Sequence, residues 1–238
     1  MKRSKTFLII GIIILIISIT FTFLIKKIDI SHYNCRPSCP FCTDIKCEEI
    51  GFSSINKTIA ETFQYNELLY KLTNYLGYIP IAFAGVYAIF GIAQLIKRKS
   101  FKKIDKGLFA LAGLFIVALA TYFVFEKLAI NYRPVMINGE LEASFPSSHT
   151  MLILCISAGI IFFNRFYYPD NKPLKFLNIF LAFLATLIVV GRFLSGVHWT
   201  TDIIGGLLFA TSFIATYCAT LLKTSHKHDK IEKTKQGN

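Results

Sequence analysis

The sequence predicts an all-α polytopic membrane protein: a six-transmembrane-helix bundle with a Cys-rich extracytoplasmic first loop. Three observations carry this reading. The 238-residue chain is 54% hydrophobic, above the roughly 45–50% of an ordinary soluble domain, and its mean hydropathy is +0.53. The apolar excess is gathered into long runs, and a spanning helix needs about 20 apolar residues. Six such runs fit, at approximately 7–25, 76–96, 108–130, 150–166, 174–194 and 203–222. Lysine and arginine, finally, concentrate in alternate connections.

The first run follows a basic start, Lys2-Arg3-Lys5. It is longer than the roughly 7–15 residues of a signal-peptide core, and no Ala-x-Ala-type cleavage site follows, which favours an uncleaved anchor helix. The first loop, 26–75, holds Cys35, Cys39, Cys42 and Cys47. Four thiols so close could bind zinc or form two disulfides. An oxidising exterior favours disulfides, and the CxxxCxxCxxxxC spacing fits no common zinc pattern. The stretch 53–74 is amphipathic and suits the outer membrane surface before the second run; within it, Asn56-Lys57-Thr58 has the form of a glycosylation acceptor. Cys155 and Cys218 fall inside apolar runs as core residues. In the last stretch, 223–238, Ser225-His226-Lys227-His228 could bind metal but reads first as part of a solvated basic tail.

Charge orients the bundle. The net charge is +12, which in a soluble chain would suggest nucleic acid; here its placement points to topology. The amino terminus, the 97–106 connection, the 165–175 connection and the tail hold 17 of the 26 basic residues. The six basic residues of the first loop are matched by six acids. The positive-inside rule puts both termini in the cytoplasm. The 133–149 loop and the 192–198 turn then fall outside, on one face.

That face carries the polar residues that suggest chemistry: Arg133-Pro134, then Pro146-Ser147-Ser148-His149, then Arg192, His198 and Asp202. A charge at membrane depth usually faces a cavity or partner, although a lone arginine can snorkel to the interface. Arginine presents a planar fork of donors suited to phosphate oxygens. Ser147-Ser148-His149 opens a helix. A serine there can simply cap it, or hydroxyls and free backbone N–H groups can cradle an anion beside His149. His198 and Asp202, four apart, share a face if helical. A carboxylate on Nδ1–H would leave Nε2 free to attack, whereas the plainer alternative is a capping aspartate beside an interfacial His-Trp pair.

In order and spacing these residues resemble the three motifs of the type 2 phosphatidic acid phosphatase superfamily, the membrane lipid phosphate phosphatases: a lysine with Arg-Pro, Pro-Ser-Gly-His, and Ser-Arg followed by His and Asp. The resemblance implies a metal-free phosphohistidine mechanism with no cofactor. His198 is then the nucleophile, Asp202 its orienting carboxylate, and His149 the acid on the leaving oxygen and later the base on water. Arg133, Arg192, Ser147 and Ser148 hold the phosphoryl oxygens. Three positions depart. Glu126 stands where the family has lysine, so Lys127 is the nearest substitute ligand. Ser148 replaces a glycine, and Gly191 replaces the serine before Arg192.

The resulting expectation is one membrane phosphatase domain over 1–238, in a bacterial plasma membrane, with 26–75 outside and 223–238 as a cytoplasmic basic tail. Its partners are the bilayer and a lipid phosphomonoester or diphosphate, undecaprenyl diphosphate and phosphatidate among them, with no role for nucleic acid. The Ile/Lys/Phe-rich composition and short loops suggest an AT-rich bacterial genome and so favour the polyprenyl diphosphate. Alternatives are a lipid phosphotransferase and a non-catalytic lipid-phosphate binder or carrier; an oriented nucleophile argues against the last.

Overall fold

The computed structural model describes the backbone of residues 2–34, 36–37 and 47–236. Cys35, Cys39 and Cys42, and the side chains of Cys47, His226 and His228, lie outside the described residues, so the disulfide and tail-metal readings rest on sequence. Among the described residues there are seven α-helices: α1 (Lys2–Ile25), α2 (Ser53–Thr62), α3 (Glu67–Arg98), α4 (Lys106–Leu128), α5 (Ser148–Tyr167), α6 (Lys172–Leu194) and α7 (Thr200–Gln236). Six are long and apolar enough to cross a membrane: α1, α3, α4, α5, α6 and the Thr200–Thr224 part of α7. The predicted all-α fold with six candidate spans holds.

The bundle is apolar outside, as lipid solvent requires, and its apolar core also holds buried polar groups. Ile16, Phe123, Phe176 and Phe183 are exposed, while Ser157, Asn164, Arg192, Asp202 and Ser212 are buried. Polar contacts between helices do the joining. Helix α1 lies along α7, where Ser212 Oγ donates to the Gly11 carbonyl (2.9 Å) and Ser4 Oγ to that of Ala219 (2.8 Å). A polar ladder crosses three helices: Tyr87 of α3 donates to Asn164 Oδ1 of α5, and Asn164 Nδ2 donates to Asn178 Oδ1 of α6 (2.9 Å). At the lysine-rich end, the α3–α4 turn is closed by Asp105, which accepts from Arg98 (2.9 Å) and Gln94 (2.7 Å).

The opposite end, where α4 and α6 finish and α5 and α7 start, is covered by the first loop. Strand β1 (Ser31–Asn34) pairs antiparallel with β3 (Cys47–Ile50), and β2 (Arg36–Pro37) pairs parallel with β4 (Val135–Met136), with Arg36 opposite Val135. Tyr33 meets Trp199 edge-on at 4.8 Å, and Trp199 Nε1 donates to the Tyr132 carbonyl (2.7 Å).

Three boundaries and roles differ from the sequence reading. The second span begins at Glu67, not near 76, because Asn66 caps it by accepting from Leu69 N–H (3.0 Å). The backbone of α7 stays helical to Gln236, through the segment read as a tail. The 53–74 stretch is not one surface helix: α2 ends at Thr62 and docks on the start of α7. Asn56 is buried there. Its Nδ2 donates to Gly51 O (2.9 Å) and Thr201 Oγ1 (3.0 Å), and its Oδ1 accepts from Thr201 N–H (3.2 Å). The folded chain cannot carry a glycan on that amide.

The Asn56 amide satisfies an N–H in the first turn of α7 that the helix itself leaves unpaired. Asn56→Ala strands that group in a buried site and should lower stability by about 1–3 kcal/mol. Thermal unfolding in detergent measures it; an unchanged midpoint would show that α2 does not hold α7.

Candidate active site

The site is assembled where four chain segments meet at the covered end of the bundle. Asp202 lies at its centre, fully buried. Helix α7 begins at Thr200, so Asp202 stands at its third position and reaches back to the Trp199 N–H (2.9 Å). This is half of a capping box, and a carboxylate is favoured at this end by the helix dipole. Two further donors reach it. Asn131 Nδ2 donates to Oδ1 (3.0 Å), and the Ser144 hydroxyl donates to Oδ2. The Asp202 carbonyl accepts from Ser147 N–H (3.0 Å), fastening the start of α5 to the start of α7.

His198 is oriented by this carboxylate, but not by it alone. Nδ1 lies 3.6 Å from Asp202 Oδ2 and 3.1 Å from Ser144 Oγ. The Ser144 hydroxyl has one proton, and the carboxylate takes it. Its oxygen can therefore only accept from the imidazole, which places a proton on Nδ1 and leaves Nε2 bare. Nε2 is buried and has no hydrogen-bond partner. Burial, reinforced by the nearby Arg133 and Arg192 charges, pushes the His198 imidazole well below its ordinary range. It stays neutral, with its lone pair available, at ordinary pH.

His198 opens on a cavity of about 410 Å³, also lined by Arg133, Ser144, Ser148, His149, Glu126 and Glu142. His149, on the first turn of α5, packs its ring against α3 where Gly77 leaves room, 3.5 Å from that glycine's would-be Cβ. Arg133 Nη2 pairs with Glu142 (3.1 Å), and the Arg133 N–H donates to the Glu142 carbonyl (3.1 Å). Arg192 is fully buried. It donates through Nη2 to Asn74 and rests on the Tyr70 ring at 5.0 Å. Its Nε and Nη1 have no partner, an arrangement that costs several kcal/mol without an acceptor. Arg192 does not itself line the cavity; Tyr70 does.

The structure thus brings Arg133, Ser148, His149, Arg192, His198 and Asp202 into one region. It sets two predicted ligands apart. Ser147 is buried as the α5 cap, accepting from Thr150 Oγ1 (3.1 Å) and Thr150 N–H (3.5 Å), and its own N–H is spent on Asp202. Lys127 is exposed and does not line the cavity, whereas Glu126 does. Sequence reasoning missed Ser144, Asn131, Tyr70 and Asn74. The spacing of Tyr70 and Asn74, four apart on one helix face, is the one local signal among them. Among the described residues no group of three His, Cys, Asp or Glu side chains is placed to hold a metal ion.

Two glycines set the geometry. Gly196 has φ +65°, and a Cβ there would lie 2.4 Å from the Phe63 carbonyl, so the turn carrying His198 nests under the end of α2. Gly191 lets α6 approach α3: a Cβ would lie 2.5 Å from Thr73 Cγ2. The Thr73 rotamer is fixed by hydrogen bonds from Oγ1 to Leu69 O (2.8 Å) and Tyr70 O (3.0 Å). The serine expected before Arg192 has no room here.

Residues 125–225, which hold all three motifs, match the PAP2 superfamily, bearing out the resemblance read from sequence. Phosphatidylglycerophosphatase B of Bacillus subtilis (strain 168) is 32% identical over 82 residues, 34% of this chain. The match spans 39% of that curated relative's length. The crystal structure of a transmembrane PAP2 type phosphatidylglycerolphosphate phosphatase from Bacillus subtilis superimposes with a TM-score of 0.51 at 21% identity. It covers 70% of this chain and 83% of the other. At that identity the likeness is one of fold.

Gly191→Ser should overpack the α3–α6 contact and cost about 1–3 kcal/mol, moving Arg192 with it. Thr73→Ala removes the opposing methyl and should restore most of the loss. A double-mutant cycle on thermal unfolding reads this directly; additive losses would refute the contact as the reason for glycine.

Proposed function

We propose that this chain, a PAP2 superfamily protein over residues 125–225, is an integral membrane lipid phosphatase. It hydrolyses a lipid phosphomonoester or diphosphate through a phosphohistidine, without metal. The observation that carries the reading is the state of His198, a residue that lines the cavity: Nδ1 is held by Ser144 and Asp202, and the buried Nε2 has no hydrogen-bond partner.

The chemistry follows from that placement. His198 Nε2 attacks phosphorus, the bond from phosphorus to the leaving oxygen (the lipid oxygen of a monoester, the bridging oxygen of a diphosphate) breaks, and His149 gives that oxygen its proton. His149 then takes a proton from water, whose oxygen attacks the phosphohistidine; the P–N bond breaks and phosphate leaves. Arg133 and Arg192 stabilise the equatorial oxygens, the charge term on which phosphoryl transfer mostly depends. Ser148 adds a hydroxyl and the free N–H groups of the α5 start. As proton holds on Nδ1 are what turn the ring, Ser144 and Asn131 act as positioning residues behind Asp202. The lysine-rich end of the bundle suits the cytoplasm under the positive-inside rule, which gives the site to the extracytoplasmic face and both termini to the cytoplasm.

Purified protein with a panel of lipid phosphomonoesters and diphosphates, in excess chelator, tests the reading by release of inorganic phosphate. His198→Ala should lose at least roughly a thousandfold in kcat, and Ser144→Ala roughly 10–100-fold with KM little changed, as for other outer-shell partners of a reacting histidine. Release that survives in His198→Ala, or that disappears in chelator, would refute the mechanism.

A further inference from the structure

A separate cavity of about 590 Å³ lies at the lysine-rich end of the bundle, where α5 finishes and α6 starts. It shares no lining residue with the active-site cavity. Arg165 and Lys175 bring it two positive charges, and no carboxylate lines it. Both side chains are exposed, and neither makes an ion pair among the described residues. Asp170, in the turn between the helices, does not line the cavity. Asp105, also at this end, is taken by Arg98 and Gln94. Asn178 adds a directed donor. Its Oδ1 accepts from Nδ2 of the buried Asn164 (2.9 Å), whose own Oδ1 accepts from Tyr87. The ladder thereby fixes the Asn178 amide with its Nδ2 left over. The Tyr168 side chain completes the polar lining.

The rest of the lining is apolar: Ile161 on α5, Ile179 and Ala182 on α6. The order along the seam is that of an amphiphile. On α6 it runs from Lys175 through Asn178 and Ile179 to Ala182, and on α5 from Arg165 back one turn to Ile161. Cations at the membrane edge give way to hydrocarbon over about two turns, roughly 10 Å. Topology and snorkelling account for two cations at this end, but not for the cavity between them or the oriented amide. Lys175 does not serve its own helix either, because a cation near a helix start opposes the dipole. We propose that this seam binds an anionic phospholipid of the surrounding leaflet. Its phosphate meets Arg165, Lys175 and Asn178 Nδ2, a donor set suited to phosphate oxygens. One acyl chain follows Ile161, Ile179 and Ala182. Basic pockets between spanning helices are a general means of holding such head groups. The site is distinct from the active site and does not depend on the phosphatase reading.

The test uses full-length protein in detergent with phosphatidylglycerol or phosphatidylcholine of identical chains. Lipid retained on the folded protein is counted by native mass spectrometry. Each cation near an anionic head group is worth about fivefold, so phosphatidylglycerol should be retained roughly 10–30-fold better. In Arg165→Gln/Lys175→Gln that preference should fall toward one. Ala182→Phe fills the apolar part of the seam and leaves both charges in place; it should cut retention of phosphatidylglycerol several-fold. Lys97→Gln/Lys99→Gln removes two exposed cations elsewhere at the same end and should leave retention unchanged. Equal retention of the two lipids, or a preference that survives Arg165→Gln/Lys175→Gln, overturns the proposal. An equal loss in Lys97→Gln/Lys99→Gln overturns it in favour of diffuse surface charge. Full retention in Ala182→Phe, or displacement of the lipid by an equal concentration of inorganic phosphate, overturns it in favour of a site for the anion alone.

Discussion

The structure turns on a buried carboxylate. Taking a charge out of water costs several kcal/mol unless hydrogen bonds replace the hydration. Asp202 obtains its replacements from three different segments: Asn131 after α4, Ser144 before α5, and Trp199 before α7. Its backbone carbonyl takes a fourth, from Ser147 at the head of α5. The loops at this end of the bundle are therefore not free to wander. Each is tied to one anion, and loosening any tie leaves a buried charge underpaired. The orientation of the His198 ring is a consequence of this wider constraint, because the same Ser144 hydroxyl that satisfies the carboxylate is the one that accepts from Nδ1.

The bundle supplies the rigid frame for that knot with an apolar core and a few polar contacts between helices. In lipid, apolar helices gain little by meeting each other, so packing and interhelical hydrogen bonds have to join them. The Tyr87–Asn164–Asn178 ladder and the Ser212–Gly11 contact do so at the middle and along α1. Close approach does the rest, as at Gly191 against Thr73. With α3, α5 and α6 locked in register, Tyr70, Asn74 and Arg192 meet at one end, and His149 meets α3 at Gly77.

Much of this was legible in the sequence because it depends on one-dimensional patterns. Run length marks the spans, lysine placement distinguishes the two ends, and Arg133, His149, Arg192, His198 and Asp202 stand out as polar residues at apolar borders. The rest depends on neighbours distant in sequence. Nothing near Ser144 announces that it will lie between residues 198 and 202. Asn56 looks like an acceptor motif until α2 docks on α7 and consumes its amide. Ser147 reads from sequence as a phosphate ligand, and in the fold its N–H is given to the Asp202 carbonyl. The start of α3 is hard to read from sequence because Glu67 and Lys71 dilute its first turns, although they pair with each other at 2.6 Å and Asn66 caps the helix.

The helix caps and the proposed catalytic set draw on the same residues. Asp202 caps α7 and orients His198; the α5 start is capped by Ser147 and offers Ser148 and His149 to the cavity. A helix start is a natural place for phosphate chemistry, since its unpaired N–H groups and positive dipole end already favour an anion. Stability and chemistry then draw on the same atoms, so this end of the bundle tolerates little change. The mouth of the cavity is different. Glu126 and Glu140 are exposed, bear no part of the Asp202 network, and can vary without disturbing the knot beneath.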